Sequence, residues 1–423
     1  MKQPLNPYRV CWTRRAYRGK GGRVYALILT VFVDTVGFGI VLPLLPLYAQ
    51  EFGASPELVT LVAVSFTMGQ AMFGPFWGWL SDRIGRKPVL LITISGTLCA
   101  YLLLAFTASL WMLFVVRFLG GAMAANMGVA HALVADVTSA ADRTKQIARL
   151  SGAGGLGFVV GPAVGGLLAG VNFGTTPFML PYLAAALFSA VAFFLAIVMI
   201  RESVTTEQRS RARSGRGLKV WRAALAHSQT RLLLCLMFAP PFVFAGIEVI
   251  IVLWSDRVWG WGPADNGYFY AWMGACHVML QWFAIGPLAR RVGERALITL
   301  GALSLGAGAL LMPLAPVEPV LYVAAFLMIL GTSGCAASLS SLLSQYADPG
   351  SRGGVLGLGQ AFAGSGRIAG PALAGVVFAS VGIHWPYFFG AMAMVVMAVG
   401  SRMILVKRAS EVRETVESGP KNP

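Results

Sequence analysis

An alternation of apolar runs, each about 20 residues long, with short basic segments governs what this chain can fold into. Twelve such runs begin near Val24, Leu58, Val89, Leu110, Leu150, Met179, Leu232, Gly267, Leu297, Val320, Val355 and Trp385. At a helical rise of about 1.5 Å per residue, each is long enough to cross roughly 30 Å of hydrocarbon. Inside hydrocarbon no water satisfies the backbone, so a segment that crosses by itself must be an α-helix. Composition agrees, since 57% of residues are hydrophobic and 12% charged, whereas a soluble chain carries about 25% charge. The first run follows a basic arm and extends to about Ala49. It is too long for a signal-peptide core and lacks a small-residue cleavage site, so no processing is expected.

A formal net charge of +16 would suggest a nucleic-acid partner in a soluble protein. Its distribution points to a bilayer and to no nucleic acid. Thirty of the 33 Lys and Arg residues fall in the two tails and in the segments after even-numbered runs, while Arg257 alone lies in an odd segment and Arg117 and Arg367 lie inside runs. The positive-inside rule therefore places both termini in the cytoplasm. Residues 201–231 carry RSRARSGRGLK and read as a solvated linker, with binding to anionic lipid headgroups as a second reading. The expected layout is a basic arm (1–23), a six-helix bundle (24–200), the linker (201–231), a second six-helix bundle (232–406) and a cytoplasmic tail (407–423). The 5 cysteines show no C-x-x-C spacing and read as small buried hydrophobes.

Two segments of the first half return in the second. GPFWGWLSDRIGRKPVLL, from Gly74 to Leu91, is echoed by AIGPLARRVGERALITL, with Gly78, Leu80, Arg83, Gly85 and Lys87 matching Gly286, Leu288, Arg291, Gly293 and Arg295. GFVVGPAVGG, from Gly157 to Gly166, returns as GRIAGPALAG, from Gly366 to Gly375. The expected fold class is an all-α membrane protein whose twelve transmembrane helices form two pseudo-symmetric six-helix bundles. Internal repeats of this kind point to a transporter whose halves rock around a site near the membrane midplane.

From Gly78 to Leu90 the chain reads G-x-L-x-D-R-x-G-R-K-x-x-L. This resembles the signature of the major facilitator superfamily between spans 2 and 3, and the resemblance covers the chain apart from its tails. Physically, Gly78 and Gly85 would let helices approach, Pro88 would stop span 2 from running on, and Asp82 among Arg83, Arg86 and Lys87 would form a charge network. The resemblance implies that Gly78, Asp82, Arg83, Gly85, Arg86 and Lys87 form a gate that latches the halves in one state, with Asp136 and Arg143 completing it. Topogenic charge is the other reading, and it leaves Asp82 without a purpose. In the second half Arg290 and Glu294 stand where Asp82 and Arg86 stand in the first, so a weaker gate is expected there.

Span 5 carries Gly157, Gly161, Pro162, Gly165 and Gly166 in a pattern that resembles the motif of twelve-span drug:proton antiporters. By itself that pattern describes a kinked, closely packed helix of use to any transporter. DTVGFGIVLPLLPLY, from Asp34 to Tyr48, is similar to the first span of tetracycline-efflux and related multidrug exporters. Asp34 lies about ten residues into its span, roughly 15 Å deep. A charged carboxylate there costs at least about 2.5–3.5 kcal/mol and protonation removes the cost, which suits a proton carrier. A carboxyl that stays protonated, or pairs with an arginine and only holds helices together, is the alternative. Arg117 resembles the family's span-4 arginine, implicated in proton coupling, and is expected to reach Asp34; snorkelling to the outer headgroups is its alternative.

Glu248 matches no family motif. It either binds substrate or a proton, or it pairs with a neighbouring helix or outer water. Phe38, Asn126, His277, Gln281 and Gln360 complete the candidate substrate cavity, His277 and Gln281 sharing a helix face by their spacing of four. Interhelical hydrogen bonding is the plain reading of the polar ones. Trp254, Trp259, Trp261 and Trp385 read as an outer aromatic belt. The sequence holds no G-x-x-x-x-G-K-[ST] loop, metal-ligand cluster or G-x-S-x-G elbow. It is therefore read as neither an ATP-driven pump nor an enzyme, with no cofactor or metal and the proton gradient as energy source. The function expected is proton-coupled efflux of a small amphipathic drug-like molecule by a monomer in a bacterial inner membrane. Its partners are the small-molecule substrate, protons and the lipid bilayer. A proton-coupled uptake symporter for a metabolite or siderophore would keep the same fold and Asp34, and a non-transporting membrane sensor is the reading from another class.

Overall fold

The computed structural model describes residues 20–138, 140–169, 178–203, 217–347 and 352–405. In chain order the helices are α1 (Lys20–Val41), α2 (Leu45–Glu51), α3 (Pro56–Ile84), α4 (Arg86–Ala105), α5 (Leu110–Met123), α6 (Met127–Val137), α7 (Ala140–Ala169) and α8 (Met179–Met199). They continue with α9 (Gly217–Ala226), α10 (Ser228–Trp259), α11 (Pro263–Met279), α12 (Ile285–Val292), α13 (Glu294–Leu311), α14 (Glu318–Tyr346), α15 (Arg352–Ser380) and α16 (Trp385–Leu405). No strand occurs among the described residues, and ten helical segments among them are long and apolar enough to cross a membrane. A π-turn at Leu280–Ala284 joins α11 to α12 in one helical path, and α16 adds a 21-residue helix.

Several boundaries differ from those expected. The first apolar run does not continue to Ala49. Pro43 cannot donate a helical hydrogen bond, so α1 stops at Val41 and α2 resumes at Leu45. The fourth run breaks after Met123 and restarts at Met127. The second and third spans are separated by one residue, Gly85, at φ 114°. That left-handed backbone favours glycine. Gly85 therefore makes the turn, and Pro88 sits in the first turn of α4 without breaking anything. Gly293 at φ 82° makes the same turn between α12 and α13, which carries the sequence repeat into the backbone. The linker holds a helix of its own, α9, and α10 begins at Ser228, ahead of the expected boundary. Cys99 and Cys235 are exposed, whereas Cys276 and Cys335 are buried as expected.

Packing repeats as well. α1 lies along α7 as α10 lies along α15, and α4 along α8 as α13 along α16. Two further contacts exchange under the same correspondence, α7 with α11 and α3 with α15. Lipid provides little hydrophobic drive between helices, so close backbone approach at small residues carries the association. A Cβ on Gly161 would lie 2.6 Å from the Gly39 Cα and from the Val36 carbonyl oxygen. Trp254, expected in an outer belt, is 1% exposed and donates from Nε1 to His384 Nδ1 at 3.1 Å, with the Tyr387 ring beside it. Trp261 is likewise buried.

Helices α3 and α15 form a V. At one end Gly375 packs directly on Thr60. Gly78 lies 18 residues, five helical turns, beyond Thr60 and so points the same way; Gly364 and Gly357 share the face of Gly375 by the same arithmetic. Yet Gly78, Gly353, Gly357 and Gly364 have no described neighbour within 4 Å of an added Cβ. The faces that touch at one end are therefore bare at the other, where the Gly85 turn and the basic residues lie. This corrects the role expected of Gly78, which permits no close approach in this arrangement. Gly161→Ala is expected to lower stability by about 1–3 kcal/mol through backbone overlap, and Gly364→Ala to leave it unchanged or raise it, read as thermal unfolding of the purified protein in detergent.

Candidate functional site

Asp34 lies on α1 in the apolar interior, half-buried, at the level where the fourth span is broken. Residues 124–126 leave the helix there and Asn126 caps α6, a discontinuity of the kind that exposes polar groups at membrane depth. Asn126 is consequently a neighbour of the Asp34 carboxylate. On the other side Ser189 of α8 donates to Asp34 Oδ1 at 3.5 Å and to the Ile94 carbonyl at 3.3 Å. Ser189 was not singled out from the sequence, although a lone serine in LFSAVAFF is the signal that could have found it.

Arg117 does not pair with Asp34. The expectation of an adjacent guanidinium fails because α5 turns Arg117 onto Phe66 of α3. There it is 4% exposed, lies 4.2 Å over the Phe66 ring and has Tyr101 and Tyr182 for neighbours. Its Nε and the Tyr182 hydroxyl both lack a hydrogen-bond partner. Tyr101 stands within electrostatic range of both Asp34 and Arg117. Phe38, four residues beyond Asp34, packs on Phe66 at 5.1 Å and on Phe158 at 5.4 Å between ring centroids.

The glycines of α7 hold this site in place. Gly157 packs on Phe32 and Thr35, Gly161 on Val36 and Gly39, and Gly165 on Ile40, so one glycine face grips α1 on either side of Asp34. Gly166 faces the other way, onto Pro263, Ala264 and Gly267 of α11, and the Pro162 carbonyl lies against Gly267. One helix thus touches both the segment that carries the acid and the second half of the chain.

In the second half Glu248 is half-buried on α10, and the Tyr270 hydroxyl donates to its backbone carbonyl. His277 is exposed, with Ser333 Oγ 3.4 Å from Nδ1. The π-turn begins three residues after His277 and contains Gln281, so the face expected to hold both runs through an irregular turn. Gln281 and Gln360 are exposed. Asp34, Asn126 and Phe38 are brought together; His277, Gln281 and Gln360 show no contact with them.

Arg86 is the hub of the gate motif. Its Nη1 lies 2.6 Å from Asp82 Oδ1 and 2.6 Å from Ser81 Oγ, and its Nε 3.2 Å from Asp136 Oδ2. Arg83 stays out of this network and stacks on Trp79 at 3.9 Å. Lys87 donates instead to the Ile197 carbonyl at 2.7 Å, on α8. The side chain of Arg143 lies outside the described residues. Glu202, missed from the sequence, accepts from the backbone N–H groups of Arg86 at 2.9 Å and Lys87 at 3.2 Å. A carboxylate there satisfies orphan donors at the start of α4 and complements its dipole. An acid opening a basic linker was the available signal. Ser203 adds a 3.0 Å bond to Asp136 Oδ2. In the second half Glu294 occupies the place of Arg86 and accepts from Ser341 and, at 2.9 Å, from Gln345 Nε2. The tie between turn and helix is kept there with hydrogen bonds from neutral donors.

Over residues 27–284 and 259–422 the chain matches the family model described as Major Facilitator Superfamily. It is 31% identical over 280 residues to the class B tetracycline resistance protein of Escherichia coli, covering 65% of this chain and 68% of that protein. It is 26% identical over 397 residues to multidrug resistance protein 2 of Bacillus subtilis, covering 91% and 95%. The crystal structure of a bacterial homologue of the human lysosomal transporter Spinster, inward-facing and unoccupied, matches with a TM-score of 0.70 at 15% identity, covering 95% and 98%. That similarity extends to the fold alone.

The hub predicts an order of effects. Arg86→Ala removes three contacts at once and should lower stability by about 1–2 kcal/mol, whereas Arg83→Ala gives up an exposed cation–π contact and should cost less than about 1 kcal/mol. Thermal unfolding in detergent checks this, and equal losses would contradict the hub.

Proposed function

Because the chain belongs to the Major Facilitator Superfamily, we propose that it exports a small amphipathic drug-like molecule in exchange for protons by alternating access. In this reading the ten spans, the π-interrupted path from α11 to α12 and α16 make twelve crossings in two six-helix bundles, 24–200 and 232–406, with the basic end and both termini in the cytoplasm of a bacterium. The protein is a monomer in the inner membrane, powered by the proton gradient and needing no cofactor. Its tetracycline-resistance and multidrug-resistance relatives support efflux as the direction.

The observation that carries the proposal is Asp34, a mid-membrane carboxylate with neutral polar neighbours, on a helix gripped by the glycine face of α7. An unpaired carboxylate at that depth is costly while charged, and a proton or a substrate group relieves the cost. The two compete for one site. Facing outward, Asp34 takes up a proton and releases substrate; facing inward, it loses the proton and admits substrate. Gly157, Gly161, Pro162, Gly165 and Gly166 transmit the change by holding α1 against α11, and Asp82, Arg86 and Asp136 form the cytoplasmic gate. The bare faces of α3 and α15 at the basic end make this arrangement open to the cytoplasm.

Inside-out vesicles given tetracycline or a cationic dye should release protons with the wild type, and the release should disappear in Asp34→Asn. Equal release from both proteins would remove Asp34 as the coupling acid.

A further inference from the structure

Two charged side chains of the second half take no part in the proton-coupling account. Glu248 lies two residues beyond Gly246, where an added Cβ would be 3.1 Å from the Gly370 carbonyl oxygen. Arg367 follows Gly366, which packs on Phe238. α10 and α15 thus run side by side at backbone contact and carry an acid and a base about two turns apart along the axis, Arg367 nearer the basic end. Each acts electrostatically on the other. They are nevertheless not in ion-pair contact with one another. No hydrogen bond is made by either charged group, and the bond at Glu248 goes to its backbone carbonyl. A carboxylate with its acceptor sites unused and a guanidinium with five unused donors therefore lie within electrostatic range of one another on adjacent helices.

Glu248 is half-buried and Arg367 is exposed. Arg367 sits mid-helix, and it extends the bare face formed by Gly357, Gln360 and Gly364. The internal repeat also sets it opposite a known surface. In GFVVGP and GRIAGP, Phe158 and Arg367 hold the same place. Phe158 belongs to the aromatic cluster with Phe38 and Phe66, so the equivalent position offers rings from one half and charge from the other.

Resting on the transport reading above, we infer that Glu248 and Arg367 form a charge-reading pair for a zwitterionic amphipathic substrate. Its cationic group docks on Glu248, its anionic group on Arg367, and its ring system on Phe38, Phe66 and Phe158. An unbridged pair of opposite charges favours a molecule that brings both, and Arg367 repels a simple cation that Glu248 alone would accept.

The test is binding to the purified full chain in detergent, by fluorescence titration, with tetracycline as zwitterionic probe and ethidium as permanent cation. Glu248→Gln should weaken both probes roughly tenfold or more, the loss expected for contacts to a charged group. Arg367→Gln should act with opposite signs, weakening tetracycline by a similar factor and tightening ethidium. Arg367→Lys keeps the repulsion but loses the forked geometry, so ethidium should be unchanged and tetracycline weaker; this variant decides the matter if Arg367→Gln does not fold. Shifts of the same sign for both probes at Arg367, unchanged affinities throughout, or no binding of tetracycline to the wild type would overturn the inference. Binding is read without proton flux, so such a failure leaves the antiport reading intact, and a failure of flux leaves the pair intact.

Discussion

Backbone contact between α1 and α7 is the constraint from which the rest of the structure follows. Gly39 and Gly161 meet with no side chain between them, and Gly157 and Gly165 extend the contact above and below. In lipid such a contact is held by packing, which only small residues permit. It fixes the rotation of α1, and with it the direction in which Asp34 points. Because Gly166 of α7 abuts α11, the helix that positions the acid also bears on the second half. On the proposed reading, a change in what Asp34 binds would be felt across this interface.

α3 and α15 meet at Thr60 and Gly375, while towards the basic end Gly78, Gly353 and Gly357 have no described neighbour within 4 Å of an added Cβ. At that end the Arg86 hub ties together α3, α6 and the start of the linker through Asp82, Asp136 and Glu202. The second half builds the same corner from Gly293 and Glu294 with neutral partners.

Much of this was legible in the sequence because it depends on spacing. Ten helical segments as long and apolar as a span return where apolar runs were read, and the two repeats gave a correspondence that the helix packing obeys. Glycines four apart marked the α1–α7 contact. What escaped depends on rotation and on state. The azimuth of α5 sends Arg117 to Phe66 and away from Asp34, which no spacing argument reveals. Gly78 has no described neighbour within 4 Å of an added Cβ, which a residue pattern by itself does not reveal. Trp254 looked like an interfacial residue by position and is buried by its bond to His384. Glu202 was hidden in a basic linker, and its role appears only where α4 presents free N–H groups.

Alternation of the two ends around Asp34 is the central claim, and distances measured between spin labels in liposomes test it most directly. One pair, at Ile84 and Gly353, reports the basic end of α3 and α15; a second, at Glu57 and Ser380, reports the opposite end. Comparing wild type with Asp34→Asn, and each with and without substrate, the account predicts that one distance shortens as the other lengthens. Distances that stay fixed, or that change in the same direction at both ends, would contradict it.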